Sequence, residues 1–251
     1  MVLFEFPLNE SVRTMLRLEH LFDRLGQLLV RDAPVDHHFA LVTLFEILDI
    51  ASRADLKGDL VRELDQQRAR LATLQGRAGV SEAVLGDALL QLEQAHRSLS
   101  ALPGRIGTAL TANDWLMSVR SRIGIPGGTC EFDLPGYYAW QKLDAAHRRA
   151  DLLRWAEPLM PVAQALSILL ALLRESGVAQ MIAVVAGQFQ QSLPAGRTYQ
   201  LLRLRVADAR EHVPEISGHR LMVSIRLMRP DEDGRLRPCT DDAALEMTLC
   251  Q

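Results

Sequence analysis

The spacing of apolar residues in this chain changes near Gly177, and this change limits the possible folds more than any other feature. Before it, apolar residues recur every three or four positions, as at Leu41, Leu44 and Leu48, which is the pattern of one buried helix face. After it, apolar and polar residues alternate, which is typical of half-buried antiparallel strands. The sequence therefore predicts an α+β fold with a helical bundle domain and a smaller antiparallel β-rich domain.

Alternation also locates the individual strands. Strands are predicted at residues 201–206, 221–228 and 245–249. Asp233-Gly234 has the composition of a hairpin turn. A further short strand is predicted from Cys130 to Leu134, where apolar and polar residues alternate, and we expect it to join the later strands. The expected domain limits are 1–114 and 151–175 for the helical domain, and 115–150 and 176–251 for the β-rich domain.

Charge and composition narrow the possible locations and partners. The chain has 251 residues and a net charge of −3, so no overall positive field favours nucleic acid or an anionic membrane. Its three cysteines lie at unrelated spacings, which fits a reducing compartment. The first residues reach Glu5 without a basic segment, so no signal peptide is expected. The apolar stretch 160–173 is shorter than a membrane-spanning helix and is expected to be a core helix, so we expect a cytoplasmic protein without membrane insertion.

The first predicted helix has a second pattern, a row of basic residues along one face. Its members are Arg13, Arg17, His20, Arg24 and Arg31. At about 100° per residue they project from nearly one side of the helix, and guanidinium groups in such a row can bind carboxylates through bidentate hydrogen bonds. An ordinary solvated face is the alternative, because Glu10, Glu19 and Asp23 balance the local charge.

A second basic surface is predicted from residue 197 to 229, where seven arginines and three acidic residues occur. Strand alternation places Arg203 and Arg205 on one side of their strand, and Arg220 and Arg226 on one side of another. Such a face could receive an acidic peptide. It could equally be a solvated face that is neutralised by the acidic segment that follows, and the sequence leaves both possibilities open.

Signals for catalysis or metal binding are poor. The chain has no metalloprotease, nucleophile-elbow or phosphate-loop motif. The adjacent His37 and His38 would point about 100° apart on a helix, which does not suit one shared metal ion. Cys130 and His147 could be imagined as a catalytic pair, but a structural cysteine is the more common case. We therefore expect no enzyme activity, no cofactor and no metal site.

Several blocks of the sequence resemble the ZapD family of bacterial cell division proteins. They occur in the order and spacing of that family and span nearly the whole chain. The blocks are VLFEFPLNE followed by RTMLRLE, RIG at 105–107, RSRIGIPGGTCEFDLP at 120–135, and ISGHR with IRLM within 216–228. Each block alone is a weak signal, whereas the ordered set is specific.

The resemblance implies a helical domain and a β-rich domain, between which the chain crosses twice. It also implies a homodimer formed largely through the helical parts. The family binds the flexible C-terminal tail of the tubulin-like protein FtsZ and cross-links its filaments into bundles during Z-ring assembly. Its proposed tail site is a basic pocket near the junction of the two domains. Because the tail mixes acidic and apolar residues, arginines beside aliphatic walls suit it chemically.

The candidate tail-binding residues are those that match the family's basic blocks. Arginines at matching positions are Arg17, Arg53 and Arg226. Their basic neighbours in the matched blocks are Arg13, Arg120, Arg122, His219 and Arg220. The chain departs from the family at Asp114, Tyr138 and Met222, where other members have further basic groups. These departures predict a less basic pocket, or one that depends more on Arg53 and Arg226.

Two other functions are compatible with the residues. A nucleic-acid-binding module could use the same arginines and would bind with a steep salt dependence. An enzyme of an unrecognised type would carry a bound metal or cofactor. The resemblance favours a non-enzymatic division factor with FtsZ as its partner, without nucleic acid, recruited from the cytoplasm to the division site at midcell.

Overall fold

A computed structural model describes the whole chain except Arg53, Ala54, Val80 and Ala195. The chain forms two compact units, a helical unit of residues 17–169 and a β unit of residues 1–16 and 170–251. It therefore passes between them twice, as the resemblance implied, and the α+β class is confirmed. The predicted domain limits stay a prediction, because compactness in the folded chain does not show which segments fold independently.

Helices make up the secondary structure of the helical unit. Their bounds are α1 Glu10–Leu29, α2 Pro34–Ser52, α3 Leu56–Ala72, α4 Glu82–Ser100, α5 Thr108–Thr111, α6 Asp114–Ile123, α7 Pro135–Gln141, α8 Ala145–Ala156 and α9 Met160–Glu175. A 3-10 helix, Glu157–Leu159, joins α8 to α9. The first residues of α1 and the last of α9 belong to the β unit. Asn113 caps α6, since its side-chain oxygen accepts a hydrogen bond from Leu116 N at 3.0 Å.

The apolar stripes predicted from the sequence are buried. Leu41, Leu44 and Leu48 of α2 are each at most 1% exposed. The helical run 145–175 is long and apolar enough, by length and composition, to cross a membrane. However, Leu166 is only 1% exposed, and apolar residues before and after it at helical spacing are buried as well, which is the pattern expected of a core helix.

Arg148 of α8 is a buried cation that joins several segments of the helical unit. It is 3% exposed, and its Nε donates a hydrogen bond to His37 Nδ1 at 3.0 Å. Its Nη2 donates to the Asp32 carbonyl at 2.6 Å. Its Nη1 donates to the carbonyls of Gln141, at 3.3 Å, and Leu143. The charge is therefore stabilised by carbonyl dipoles that follow the ends of α1 and α7, where a cation is favourable.

Arg149, the next residue of α8, binds the same end of α1. Its Nε donates to the Leu29 carbonyl at 2.7 Å, and its Nη2 donates to Asp32 Oδ1 at 2.5 Å. The last carbonyls of a helix have no partner within that helix, so they need outside donors. Two consecutive arginines supply these donors here and thereby fix α8 against the turn between α1 and α2.

Aromatic side chains pack together in the same unit. Trp115 stacks on Trp155 with ring centroids 5.0 Å apart, and Tyr137 stacks on Trp140 at 5.8 Å. The Trp140 indole N–H donates to Asp151 Oδ2 at 3.0 Å, which satisfies its one polar atom. The cluster joins α6, α7 and α8 through ring contacts.

The strand predicted at Cys130 to Leu134 does not form, and that prediction was wrong. Cys130 N donates to the Gly127 carbonyl at 3.2 Å, and Leu134 N donates to the Cys130 carbonyl at 2.9 Å. These local turns lead into α7 and use backbone groups that pairing with another strand would need. Phe132 is 79% exposed, so the alternation did not mark a buried sheet face.

Two antiparallel sheets form the β unit. The strands are β1 Val2–Pro7, β2 Ala179–Val184, β3 Gln188–Ser192, β4 Leu201–Val206, β5 Val213–His219, β6 Met222–Pro230, β7 Leu236–Pro238 and β8 Ala243–Cys250. One sheet has the order β1-β4-β8-β2, and the other has the order β3-β6-β5 with β7 also paired to β6. The three strands predicted late in the chain are β4, β6 and β8, and the predicted turn at Asp233-Gly234 joins β6 to β7.

The core of the β unit follows the predicted alternation. Leu202 and Leu204 of β4 are 0% exposed and share one apolar cluster with Ile225 of β6. One detail of the prediction was wrong. Arg220 lies in the turn between β5 and β6 and not on a strand, so it does not share a strand face with Arg226. The β5–β6 pairing already reaches its last register pair at His219 and Met222, which leaves Arg220 in the turn.

We predict that Arg148→Met lowers the free energy of unfolding by about 2–4 kcal/mol, because it leaves several buried acceptors without donors. Chemical denaturation measures the change. Arg154→Met on the same helix is the matched control. Its side chain is 67% exposed, pairs with Asp151 and lies over the ring of Trp155, and such exposed contacts are weak, so the expected loss is below about 1 kcal/mol. Equal losses in the two variants would contradict the structural role of Arg148.

We also predict that stability falls as the pH drops through the ordinary histidine range. Burial, and then the charge of Arg148, lower the pKa of His37 below its usual 6.5. The unfolded chain therefore binds a proton that the folded chain rejects, so the stabilisation is present above about pH 6.5 and is lost below it. Denaturation between pH 7.5 and about 5.5 should show a smaller loss in His37→Gln than in the wild type. Burial lowers the pKa of His38 as well, so part of the loss should persist in the variant.

Candidate functional site

Four members of the predicted basic row lie on α1, whose opposite face is buried, whereas Arg31 follows the end of that helix at Leu29. Leu18, Leu21 and Leu25 are at most 6% exposed and fix the helix on the core. The side chains of Arg17 and His20 are exposed on the other face. The helical spacing thus placed Arg17 and His20 correctly on the exposed face of α1.

Three members of the row are already paired with acids of this chain. Arg13 Nε lies 3.2 Å from Glu10 Oε2. Arg24 donates to Glu46 Oε2 at 2.6 Å and to Thr43 Oγ1 at 2.9 Å. Arg31 Nη1 lies 3.4 Å from Asp36 Oδ1. Each of these guanidinium groups would have to exchange its partner to bind an external carboxylate.

Arg17 is different, because its exposed guanidinium has no ion pair or hydrogen bond with the described part of the chain. A free guanidinium presents five donors in a planar fork that matches a carboxylate. Arg17 can therefore accept an acidic partner without first losing an internal bond. His20, one turn further along α1, is also exposed.

The two predicted arginines of α6 also differ in whether they are paired with an acidic residue. Arg120 binds Asp49 of α2 through Nη2. Arg122 is exposed, and its side chain has no partner among the residues that the structure describes. Asp49 lies three residues after Glu46, so one face of α2 binds an arginine from α1 and another from α6.

A cleft of about 530 Å³ lies at the C-terminal end of α2. Its lining residues are Ala51, Ser52, Asp55, Leu56, Lys57, Gly104, Arg105 and Ile106. Lys57 Nζ donates to the carbonyls of Ser100 and Leu102, at 3.3 and 2.6 Å, so its charge is engaged. The Arg105 side chain is exposed and has no partner in the described residues. The cleft therefore combines a mixed lining, with the acidic Asp55 and the nearly buried Leu56 and Ile106, and the Arg105 guanidinium, which has no partner in the described residues.

Arg105 was not among the predicted site residues. It stands in the RIG block that contributed to the family resemblance, but no periodic pattern of basic residues surrounds it. Arg53, which was predicted, lies outside the described residues.

The predicted residues of the β unit are at or near the β5–β6 hairpin. Arg226 of β6 lies 3.6 Å from Glu215 of β5, measured from Nη1 to Oε2. His219 and Arg220 are exposed beside the turn, and His219 Nδ1 accepts a hydrogen bond from Leu221 N at 3.3 Å. The Arg220 side chain has no partner among the described residues.

The basic strand face of β4 is largely neutralised. Arg203 Nε donates to Glu5 at 3.0 Å, and Arg205 Nε lies 2.9 Å from Glu246. Arg174 also holds Glu5, through two hydrogen bonds of 2.9 and 2.7 Å. Burial opposes ionisation of Glu5, but Arg174 and Arg203 outweigh it and lower its pKa. These pairs favour the neutralised face over the acidic-peptide receptor that the sequence also allowed.

The sequence-predicted residues therefore fall into two groups. Arg17, Arg120 and Arg122 lie in the helical unit, and Arg13, His219, Arg220 and Arg226 lie in the β unit. Within these groups Arg17, Arg122 and Arg220 are free of internal ion pairs in the described structure, whereas Arg13, Arg120 and Arg226 are paired. Arg17, Arg122 and Arg220 can therefore bind the carboxylates of a partner most readily.

Comparison with known proteins agrees with the family resemblance of the sequence blocks. The family model described as "ZapD: Cell division protein" matches residues 16–226. A cell division protein ZapD from Ralstonia pickettii (strain 12J) is 47% identical over 251 residues, which is 100% of this chain and 99% of that protein. A cell division protein ZapD from Ralstonia nicotianae (strain ATCC BAA-1114 / GMI1000) shows the same identity and coverage.

We predict that Gly107→Ala destabilises the wall of the cleft beside Arg105 and Ile106. Gly107 has φ +85°, and a β carbon there would overlap Leu48 Cδ1. Strain and overlap together should cost about 1–3 kcal/mol in the free energy of unfolding. Gly86→Ala on α4 is the matched control. Nothing lies within 4 Å of its β-carbon position, so the substitution should stabilise the helix slightly. A neutral Gly107→Ala in chemical denaturation would contradict the packing described here.

Proposed function

Because this chain belongs to the ZapD family of cell division proteins, we propose that it gathers FtsZ filaments at the division site. In this proposal it is a non-enzymatic cytoplasmic homodimer that is recruited to midcell. Each protomer binds the C-terminal tail of one FtsZ molecule. The dimer thereby cross-links two filaments, bundles them and promotes Z-ring assembly. Membership of the family supports the role in cell division, and the free arginines support an acidic ligand.

The observation that carries the proposal is that Arg17 on α1 is exposed and has no partner among the described residues. Arg24 lies on the same basic row but is held by Glu46 at 2.6 Å. A partner carboxylate gains a charge-assisted hydrogen bond at Arg17 at no cost in internal pairing, whereas at Arg24 it would replace an existing bond. The two arginines thus have the same chemistry but different availability.

The cleft at the end of α2 suits the other half of the ligand. The FtsZ tail, as the family resemblance implies, mixes acidic and apolar residues. Leu56 and Ile106 line the cleft and offer a small apolar surface, each being 6% exposed, and Arg105 supplies a guanidinium without a partner among the described residues, beside the acidic Asp55. We include Arg105 in the proposed tail-binding surface for this reason.

The other predicted residues are ranked by their pairing. Arg122 and Arg220 follow Arg17, because their side chains have no partner among the described residues. The paired arginines and the remaining candidates come next. They are Arg13, Arg120, Arg226, His219 and Arg53, the last of which lies outside the described residues.

In a two-fold symmetric dimer, weak binding of each FtsZ tail would be sufficient to cross-link filaments. A single transient peptide contact typically has micromolar affinity, about −8 kcal/mol. A filament presents many tails, so the first contact raises the effective concentration for the second. Bundling would then depend on the dimer as much as on the strength of each site.

The nucleic-acid alternative is not favoured by the ion pairs. Arg203, Arg205 and Arg226 belong to the surface that would have to follow a phosphate backbone, and each lies against an acid of this chain. Phosphates would have to displace these acids. A nucleic-acid arm in the binding experiments distinguishes the two proposals directly.

We predict that Arg17→Glu abolishes co-sedimentation with FtsZ polymers, because the new carboxylate repels an acidic tail. Pelleting of polymerised FtsZ measures the effect, and electron microscopy of the same samples shows whether bundles form. As a further check, the wild-type protein should not pellet with FtsZ polymers from which the C-terminal tail of FtsZ has been deleted. Size-exclusion chromatography should give the same elution volume for variant and wild type.

Arg77→Glu is the matched control, because Arg77 is also exposed and its side chain has no partner in the described residues. It carries the same change of charge in the segment between α3 and α4, so its pelleting should equal that of the wild type. Wild-type pelleting of Arg17→Glu, or equal losses in the two variants, would contradict the assigned site. Binding of duplex or single-stranded DNA that Arg17→Glu weakens would favour the nucleic-acid alternative.

A further inference from the structure

Three side chains with metal-ligating atoms meet in the β unit, and none of them belongs to the proposed tail-binding residues. His212 precedes β5, and Cys239 and Asp241 lie between β7 and β8. One ligand atom from each residue lies within 4.8 Å of the other two. His212 Nε2 is 3.8 Å from Asp241 Oδ2. In the described part of the chain, no other group of three such residues is this close together.

Backbone hydrogen bonds hold the segment that contains two of these residues. Cys239 N donates to the Leu227 carbonyl of β6 at 2.9 Å, and Gly187 N donates to the Asp241 carbonyl at 3.0 Å. Gly187 has φ +71°, and a β carbon there would overlap the Cys239 carbonyl, so the chain packs closely at this point. The Cys239 thiol and the Asp241 carboxylate are therefore presented from a braced loop.

His212 carries the second observation. Its Nε2 atom is buried and makes no hydrogen bond to any described residue. Buried polar atoms are nearly always satisfied, so an orphaned imidazole nitrogen calls for a partner. The atom faces the Asp241 carboxylate at a distance too long for a hydrogen bond. A cation between them would give the imidazole nitrogen the partner that it lacks, whereas Asp241 Oδ2 already accepts a hydrogen bond from Arg229.

The donor types select the cation. An imidazole nitrogen, a thiolate sulfur and a carboxylate oxygen together are typical of Zn²⁺, whereas Mg²⁺ and Ca²⁺ prefer oxygen alone. With bonds of about 2.0–2.3 Å, ligand atoms in a tetrahedral zinc site lie about 3.5 Å apart. The ligand atoms lie up to 4.8 Å apart, so they would have to move closer by up to about 1.3 Å, through rotation of the side chains.

The surroundings leave room for entry and for a fourth ligand. A cleft of about 300 Å³ opens beside Cys239, Thr240 and Asp241. Arg229 Nη2 donates to Asp241 Oδ2 at 2.5 Å. A metal ion would bind one oxygen of the Asp241 carboxylate, and the Arg229 guanidinium would donate a hydrogen bond to the other oxygen. Such hydrogen bonds to metal-ligating carboxylates are common.

We propose that His212, Cys239 and Asp241 bind one Zn²⁺ ion, with water in the fourth position. The ion would join the segment before β5 to the loop between β7 and β8. The site uses none of the residues assigned to tail binding and does not depend on the proposed function.

Cobalt(II) substitution in the full-length protein tests this site. One equivalent of Co²⁺ per chain should give a thiolate-to-metal charge-transfer band in the near ultraviolet, and Zn²⁺ should bleach it. The band should disappear in Cys239→Ala and persist in Cys130→Ala, the matched control with a half-buried free thiol. His212→Gln should weaken Zn²⁺ binding by at least about tenfold. Circular dichroism checks that each variant is folded.

X-ray absorption of the zinc-loaded wild type needs no variant. The expected shell has one sulfur at about 2.3 Å and nitrogen or oxygen ligands at about 2.0 Å. An all-oxygen shell, the absence of a thiolate band, or a band that survives in folded Cys239→Ala would overturn the proposal.

Discussion

The helical unit depends on one buried cation. Arg148 has no carboxylate partner in the described structure and is stabilised by His37 and by carbonyls at the ends of α1 and α7. Several segments that are distant in sequence therefore meet at one guanidinium. Because His37 accepts its hydrogen bond, the imidazole must stay neutral, and burial, followed by the charge of Arg148, lowers its pKa accordingly. α8, which carries Arg148, continues through the 3-10 helix into α9.

Internal pairing determines which arginines can act on a partner. The chain is rich in arginine, yet most of those discussed here bind acids on neighbouring elements, such as Arg24 on Glu46 and Arg120 on Asp49. A paired guanidinium contributes to packing and has little left to offer a ligand. Arg17, Arg105 and Arg122 differ only in lacking such an acid in the described structure. Availability, and not basicity alone, distinguishes the proposed tail-binding surface from the rest of the basic surface.

The proposed zinc site shows why some sites escape sequence reasoning. Its ligands are too irregularly spaced for a metal motif, because His212 and Cys239 come from different connections between strands. The two connections meet only after β5, β6 and β7 have paired. The wrong strand prediction at Cys130 to Leu134 arose from the reverse situation, in which the sequence pattern was present but the structure was not. There a local alternation was present, but local turns took the backbone hydrogen bonds that a strand would have needed.

The sequence by itself determined the longer helices, the strands β4, β6 and β8, their buried faces and the family, because helix and strand periods record burial within a single element. It also placed Arg17 on an exposed helix face. Only the tertiary structure decided which basic residues stayed unpaired, that Arg105 borders a cleft, and that Arg220 sits in a turn. Those outcomes depend on distances between atoms far apart in the chain, such as the 71 residues between Asp49 and Arg120. The spacing of residues along the sequence does not contain such distances, because tertiary packing determines them.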